Sequence, residues 1–400
     1  MRRVAIIAEA FLPKVDGVSK TAYLTLQYLQ QTGREVLVFA PDTAPQHVGS
    51  AQVIPLPSLG MPLAPETRVA LPTMLVGNYL DEFAPDLIHM FSPALLSLSA
   101  MLSGRRRNIP IIANYQTDLP GYAGHYGLHF LSQPARDILR YIHNGCHLTL
   151  APTQRILRQL RAWGYHRLRH WGRGVNLERF NPNRRSQEWR ERLLNGRDPD
   201  SLVCVYVGRL ANEKRVDLLL ETARTPGIAL TIIGDGALRE ELEARFAGTG
   251  THFMGYVFGD DLGRAYASAD VFMFTGPNET FGQVAMEAQA SGLPAIVINQ
   301  GGVADLVTDG VTGFHVPEDP HTFAGAATRL RDDPGLRQRM AQAARRYAEQ
   351  HPWEAIMAQL EGYYGEAVRL NERYKRRYHA QTLILPDLFN PGKWMGWGEE

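Results

Sequence analysis

Residues 271–294 read VFMFTGPNETFGQVAMEAQASGLP, and how this stretch folds decides how the chain folds. VFMF is a short, continuous apolar run bounded by turn residues, which reads as a strand of a parallel sheet covered on both faces. Thr275, Gly276, Pro277 and Asn278 form a turn, and residues 283–290 read as a helix. Glu279 then sits in a loop at the C-terminal end of a strand, and Glu287 on the helix that follows. That edge of an open α/β sheet is where ligands bind. At the helix N-terminus the amides of Phe281, Gly282 and Gln283 have no partner within the helix, a ready site for an anion such as phosphate.

The same strand-then-helix rhythm recurs on both sides. Apolar runs at 4–8, 35–40, 87–90 and 111–114, with a helix over 21–31, precede a break. Runs at 202–208, 229–234 and 295–299, with helices over 214–223 and 237–246, follow it. The pattern predicts an α/β chain with two Rossmann-like, doubly wound domains facing a cleft. Gly and Pro punctuation in GRGVNLERFNPN, residues 172–183, marks the boundary. The divisions expected are residues 1–175, residues 176–352, and a C-terminal helix and tail over 353–400, helical to about 378 and without periodicity beyond.

A chain of 400 residues is too long for one compact core. Lys and Arg total 42 against 41 Asp and Glu, a net charge of +1, so no global basic excess argues for nucleic acid. Cys146 and Cys204 are too few for a disulfide framework or a cysteine-built metal site; both are expected to be reduced core residues. Glu9 interrupts the apolar start MRRVAIIAEAFLP, which reads as a first strand, and no run approaches the roughly 18 apolar residues of a membrane span. The cytoplasm is the expected address. Gly17-Val18-Ser19-Lys20-Thr21 lacks the glycine a phosphate loop needs before its lysine, which excludes that ATPase class. The G-x-G runs at 172–174 and 234–236 lack the third glycine of a dinucleotide fingerprint, so a dehydrogenase is not expected. No obligatory metal is expected either, since Asp198-Pro199-Asp200 sits in a turn before a strand.

A second cluster follows the apolar run LVCVYV: Arg209, then Lys214 five residues on. On a strand-to-helix turn an Arg fork and a Lys point charge can flank one pyrophosphate and stabilise it as a leaving group.

These residues also carry a resemblance. GRLANEKRVDLL (208–219), GDG (234–236), YASADVFMFTGPNETFGQVAMEAQASGLPAI (266–296) and Gly301-Gly302 are similar to the donor half of retaining glycosyltransferases of family 4, which have the GT-B fold. In the first half AEAFLPKVDGVSKT (8–21), EVLVFAPD (35–42), FSPALLSL (91–98), NYQTDLPGYAGHYGL (114–128), LAPT (150–153) and HWGRGV (170–175) resemble GDP-mannose-dependent α-mannosyltransferases acting on glycolipids. Sulfoquinovosyl- and glucosyl-diacylglycerol synthases are near neighbours. The resemblance implies that Arg209 and Lys214 clamp the donor diphosphate, that Glu287 meets the ribose hydroxyls, and that Glu279 contacts the donor sugar. It places Gly17 where a glycine loop nears the diphosphate from the opposite domain, with Asp16 in place of a usual first glycine, and Asp305 where many relatives have Glu. It implies a nucleotide-sugar co-substrate, GDP-mannose or a UDP-hexose, and no other cofactor.

Asp118, after the run IIAN, is the best acidic candidate in the first domain, and Tyr115, Gln116, Tyr122 and Tyr126 are candidates for the acceptor pocket. Between residues 133 and 174 stand eight arginines and one acid, Asp137, interleaved with aromatics. A basic surface edged by aromatics suits an anionic membrane face, which would bring a lipid or glycolipid acceptor to a peripherally bound enzyme. Arg105, Arg106, Arg107, Arg158, Trp163 and Arg169 are the expected contacts. A UDP-sugar lipid synthase is the alternative within the class. A sugar-nucleotide epimerase or a noncatalytic lipid-binding protein on the same scaffold are the alternatives outside it.

Overall fold

Strands β1 (Arg3–Ala8), β2 (Glu35–Pro41), β7 (Leu87–Phe91) and β8 (Ile111–Asn114) are almost wholly buried apolar runs, and they pair in parallel. With β3 (His47–Val48), β4 (Ala51–Leu56), β9 (Leu148–Ala151) and β10 (Leu168–His170) they make an eight-stranded sheet in the order β10-β9-β8-β7-β1-β2-β4-β3. β5 (Ser58–Met61) and β6 (Ala64–Ala70) form a separate antiparallel ribbon. A second, six-stranded sheet is built from β11 (Leu202–Val207), β12 (Ile228–Ile233), β13 (His252–Gly255), β14 (Val271–Phe274), β15 (Ala295–Ile298) and β16 (Gly313–Val316), ordered β13-β12-β11-β14-β15-β16. This computed structural model describes residues 1–13, 16–61, 64–71, 73–117 and 129–384. Asp118, Tyr122 and Tyr126 lie outside the described residues.

Each sheet reverses direction once, which is where a doubly wound fold opens a crevice. In the first sheet the reversal lies between β1 and β7, in the second between β11 and β14. The cores are separate: one cluster gathers buried residues between Val175 and Ala348, and the others draw on residues up to Trp171, joined by residues from Ile356 to Ala367.

The end of the chain does not stay with the second domain. Helix Trp353–Ile384 crosses back and buries Ile356, Met357, Leu360, Tyr364 and Ala367 in the core of the first. Polar groups fix its register: Trp171 Nε1 donates to Ile356 O at 2.9 Å, Tyr363 Oη to His170 O at 2.6 Å, and Asn371 Nδ2 to Asn108 O at 2.7 Å. The chain therefore passes between domains twice, and the passages lie together, with Val175 N donating to His351 O at 3.0 Å.

The first domain buries titratable groups of opposite effect. Burial pushes His89 down to about 4, His143 to about 3 and His147 to about 4. His147 stays neutral with Nδ1 accepting from Ile111 N at 3.0 Å. Their folded values lie below the unfolded one, so their stabilisation is complete above about pH 6.5 and is lost as pH falls. Glu9, at the tip of β1, runs the other way. Its Oε1 accepts from Ala94 N at 2.9 Å, Ser97 N at 2.8 Å and Ser97 Oγ at 2.9 Å, yet burial raises the carboxyl to about 7. Its contribution is present below pH 4.5 and is lost as pH rises through 7. Glu9→Gln should therefore gain stability relative to wild type by about 2 kcal/mol between about pH 5 and 7.5. Urea midpoints at both pH values check this; an unchanged difference would mean that Glu9 does not titrate as a buried acid.

Candidate active site

Because β11 and β14 are neighbours in register, Cys204 beside Val271 and Tyr206 beside Met273, the loops that follow them leave the sheet side by side. The first carries Arg209 and Lys214, the second Glu279. The helix expected over 214–223 is broken instead. Arg215 adopts φ 49°, which splits the segment into 3₁₀ turns at Asn212–Lys214 and Val216–Leu219 and a short helix at Leu220–Arg224. Arg215 reaches Asp217 and Glu318, contacts a regular helix would not allow it to share.

The break turns Lys214 into the crevice. Its ammonium pairs with Glu279 Oε1 and lies 5.7 Å over the Phe274 ring, while Thr275 Oγ1 donates to the Lys214 carbonyl at 2.6 Å. Arg209 Nη2 meets Glu213 Oε1 at 2.5 Å, with Glu213 buried at 2% exposure. Tyr206 Oη donates to the Arg209 carbonyl at 3.3 Å and props the turn from below. Burial alone would raise the Glu279 carboxyl, but Lys214, Arg173 and Arg209 around it hold it below the usual carboxylate value. It is ionised at neutral pH.

The Glu279 loop is pinned from both domains. Thr280 Oγ1 donates to Gln116 O at 2.5 Å, Thr153 Oγ1 to Thr280 O at 3.4 Å, and Gly302 N to Glu279 O at 2.5 Å. Helix Gln283–Ala290 then begins at Gly282, φ 91°, where no side chain caps it. Phe281 is buried in the core beside that end, so its backbone, not its ring, is what it can offer to an anion there. The Gln283 side chain is engaged by Gly174 O at 3.0 Å, which leaves its backbone amide as its contribution. Glu287, 5% exposed, is met across the cleft by Lys20 Nζ at 2.9 Å.

Several expected residues are placed differently. The amides at the start of helix Gly17–Gln31 do not form an open cradle, because Asp16 Oδ1 accepts from Val18 N and Ser19 N at 2.9 Å each. What Gly17 admits is Arg173: a Cβ at Gly17 would lie 2.6 Å from Arg173 Nη1. Arg173, counted among the arginines of a basic surface, is 6% exposed inside the cleft. Asp305 reaches no donor-side group; its Oδ2 accepts from Arg155 N at 2.5 Å and ties the domains together. Tyr115, 3% exposed, packs edge-on to Tyr165. With Gln116, Ser92, Pro93, Leu139 and His143 it lines a small cavity at the ends of β7 and β8.

Of the basic residues, Arg107 is bound by both oxygens of Asp81 at 2.6 Å and Arg169 is paired with Glu366, so neither charge is open. Arg105, Arg106 and Arg107 end a helix just before β8 begins, which puts them at the sheet edge opposite the cleft. Arg158 is exposed, while Trp163 is half-buried under the Arg136 guanidinium at 4.3 Å. Lys20 and Arg173 are the cleft residues that the sequence did not mark as site candidates. Lys20 stood in a rejected phosphate loop, and its spacing of one helical turn from Gly17 was the signal that it faces the same way.

The same halves are separately matched by known families. The model described as Glycosyltransferase Family 4 matches residues 15–179, and that described as Glycosyl transferases group 1 matches residues 187–347. A GDP-mannose-dependent alpha-mannosyltransferase of Mycobacterium tuberculosis is 40% identical over 92% of this chain and 97% of its own. The chain belongs to the group 1, family 4 glycosyltransferases. This glycosyltransferase is also 34% identical to the sulfoquinovosyl transferase SQD2 of Arabidopsis thaliana, over 90% of this chain and 72% of that one. Anabaena Alr3699/HepE, solved in complex with UDP and glucose, superposes with a TM-score of 0.72 at 18% identity, covering 91% of this chain and all of that one. Two parallel sheets with a crevice between them are thus the GT-B fold expected. Among the described residues no group of His, Cys, Asp or Glu is placed to hold a metal ion, and no helix is long and apolar enough to cross a membrane.

Proposed function

We propose that this glycosyltransferase moves mannose from GDP-mannose, with retention at the anomeric carbon, to a glycolipid at a membrane surface. The observation that carries the reading is the meeting of Arg209, Lys214 and Glu279 where the second sheet reverses, beside an uncapped helix N-terminus. Similarity along nearly the whole chain to enzymes named for GDP-mannose supports the donor. In this reading the diphosphate draws the Lys214 ammonium away from Glu279, and the freed carboxylate accepts from hydroxyls of the sugar. Arg209, Lys214 and the amides from Phe281 to Gln283 hold the departing diphosphate, whose oxygen takes the acceptor's proton. Catalysis is then positioning plus preorganised electrostatics. Glu287 takes the ribose hydroxyls once they displace Lys20.

The acceptor approaches from the first domain, past Gln116, whose Oε1 is buried without a hydrogen-bond partner. The membrane-facing side in this reading is that of helices His129–Gly145 and Gln154–Ala162, with Ile138 and Tyr141 exposed at 45% and 60% and Arg158 and Arg161 in solvent. Arg107 and Arg169, already paired, are not part of it. Similarity to a sulfoquinovosyl transferase favours a second reading, a UDP-sugar lipid synthase.

A thermal-shift panel of GDP, UDP, GDP-mannose, UDP-glucose and UDP-sulfoquinovose tests this. A ligand at 100 times its Kd adds about 2.7 kcal/mol, a rise of several degrees. Stabilisation by GDP and GDP-mannose alone is expected. A UDP-selective response would replace the first reading with the second, and no response would remove both.

A further inference from the structure

We infer that Arg173 is a donor-binding residue, the cation by which the first domain grips the donor's diphosphate. The inference rests on the nucleotide-sugar reading above, and it assigns a role to a residue on the far side of the cleft from Arg209 and Lys214.

Burial pulls the Arg173 guanidinium down to about 10, and its Nε has no hydrogen-bond partner. An arginine so buried ordinarily has its donors matched, because an unmet buried donor is costly. Among the described residues, the other cations of the cleft each have an acid in contact: Arg209 with Glu213, Lys214 with Glu279, Lys20 with Glu287. Arg173 feels Glu279 and Asp16 only through space. Glu279 is engaged by Lys214, and Asp16 Oδ1 by the amides of Val18 and Ser19.

Its position is built. Gly17 is small enough for Nη1 to pass where a Cβ would come within 2.6 Å, and the guanidinium lies 5.7 Å over the Phe281 ring, next to the uncapped start of helix Gln283–Ala290. At the helix end that faces the cleft from the first domain, Asp16 takes the amides of Val18 and Ser19. Arg173 supplies the positive charge there instead. A planar guanidinium whose Nε is unmet, lying over Phe281 at the start of helix Gln283–Ala290, fits a diphosphate held from two sides.

The test is calorimetric titration of the full chain with GDP, GMP, UDP and UMP, for wild type, Arg173→Gln and Gly17→Ala. The second variant keeps the charge but displaces the guanidinium, so the test survives if Arg173→Gln folds poorly. Both variants are expected to lose at least about tenfold in affinity for the preferred nucleoside diphosphate, while the monophosphate changes less than about twofold. Equal affinities in wild type and both variants would make Arg173 a structural strut and overturn the inference. A wild type that binds neither diphosphate would overturn the donor reading itself, a distinguishable result.

Discussion

Lys214→Ala is expected to lower kcat about 10²- to 10³-fold, the cost of removing one preorganised donor from a developing negative charge. The ammonium does two things, and both disappear. In the proposed reading it supplies charge for the departing diphosphate, and in the structure it helps to hold Glu279 ionised against burial. With Lys214 gone, burial has less opposing it, so the Glu279 carboxyl rises and activity that requires the carboxylate falls as pH drops through that higher value. The residual activity of Lys214→Ala should therefore decline on acidification at a pH where wild type is flat. Glu279→Gln should lose as much but show no such decline. Because the two residues act as a unit, the double variant should be only slightly worse than either single one. Steady-state kinetics from pH 5 to 8 on the three proteins settle the matter; multiplicative losses would show that the ion pair is incidental to catalysis.

Gly302→Ala is the second large effect. A Cβ there would lie 1.9 Å from Thr280 O and 2.4 Å from Thr280 C, both backbone atoms that no rotamer change can move. The loop must shift, and it is the loop that carries Glu279, joined to Gly302 through its carbonyl and to the first domain through Thr280. We expect a kcat loss of at least about 10²-fold and a stability loss of about 2 to 4 kcal/mol. Gly325→Ala is the control: nothing lies within 4 Å of its Cβ, and a helical alanine is neutral or stabilising. Wild-type kinetics in Gly302→Ala would show that the Glu279 loop tolerates displacement.

What could be read from the sequence was what is decided locally. VFMF, the Gly-Pro turn and the helix after it follow from apolar continuity and punctuation, and they put Glu279 and Glu287 at the ligand edge without knowledge of the rest of the chain. What depended on distant partners was not legible. Nothing near Lys20 announces Glu287, 267 residues away, and nothing near Arg107 or Arg169 announces that Asp81 and Glu366 neutralise them. Counting arginines along the chain therefore overstated the basic surface and hid Arg173, which the fold turns inward. The break at Arg215 was equally hidden, because a left-handed residue among good helix formers has no compositional mark.

The paired passages at Gly174–Val175 and His351–Pro352 have a mechanical meaning. Two bodies joined at one point can swivel about three axes, whereas two joined along a short line, with a hydrogen bond between the joining strands, keep one inexpensive rotation about that line. Gly174 has no room for a side chain there, since its Cβ would lie 2.6 Å from Trp353 Cα. The domains are thus hung like covers on a spine. Rotation about that spine would part Lys20 from Glu287 and Thr280 from Gln116 together, so that opening the cleft to a donor would also unseat the Glu279 loop.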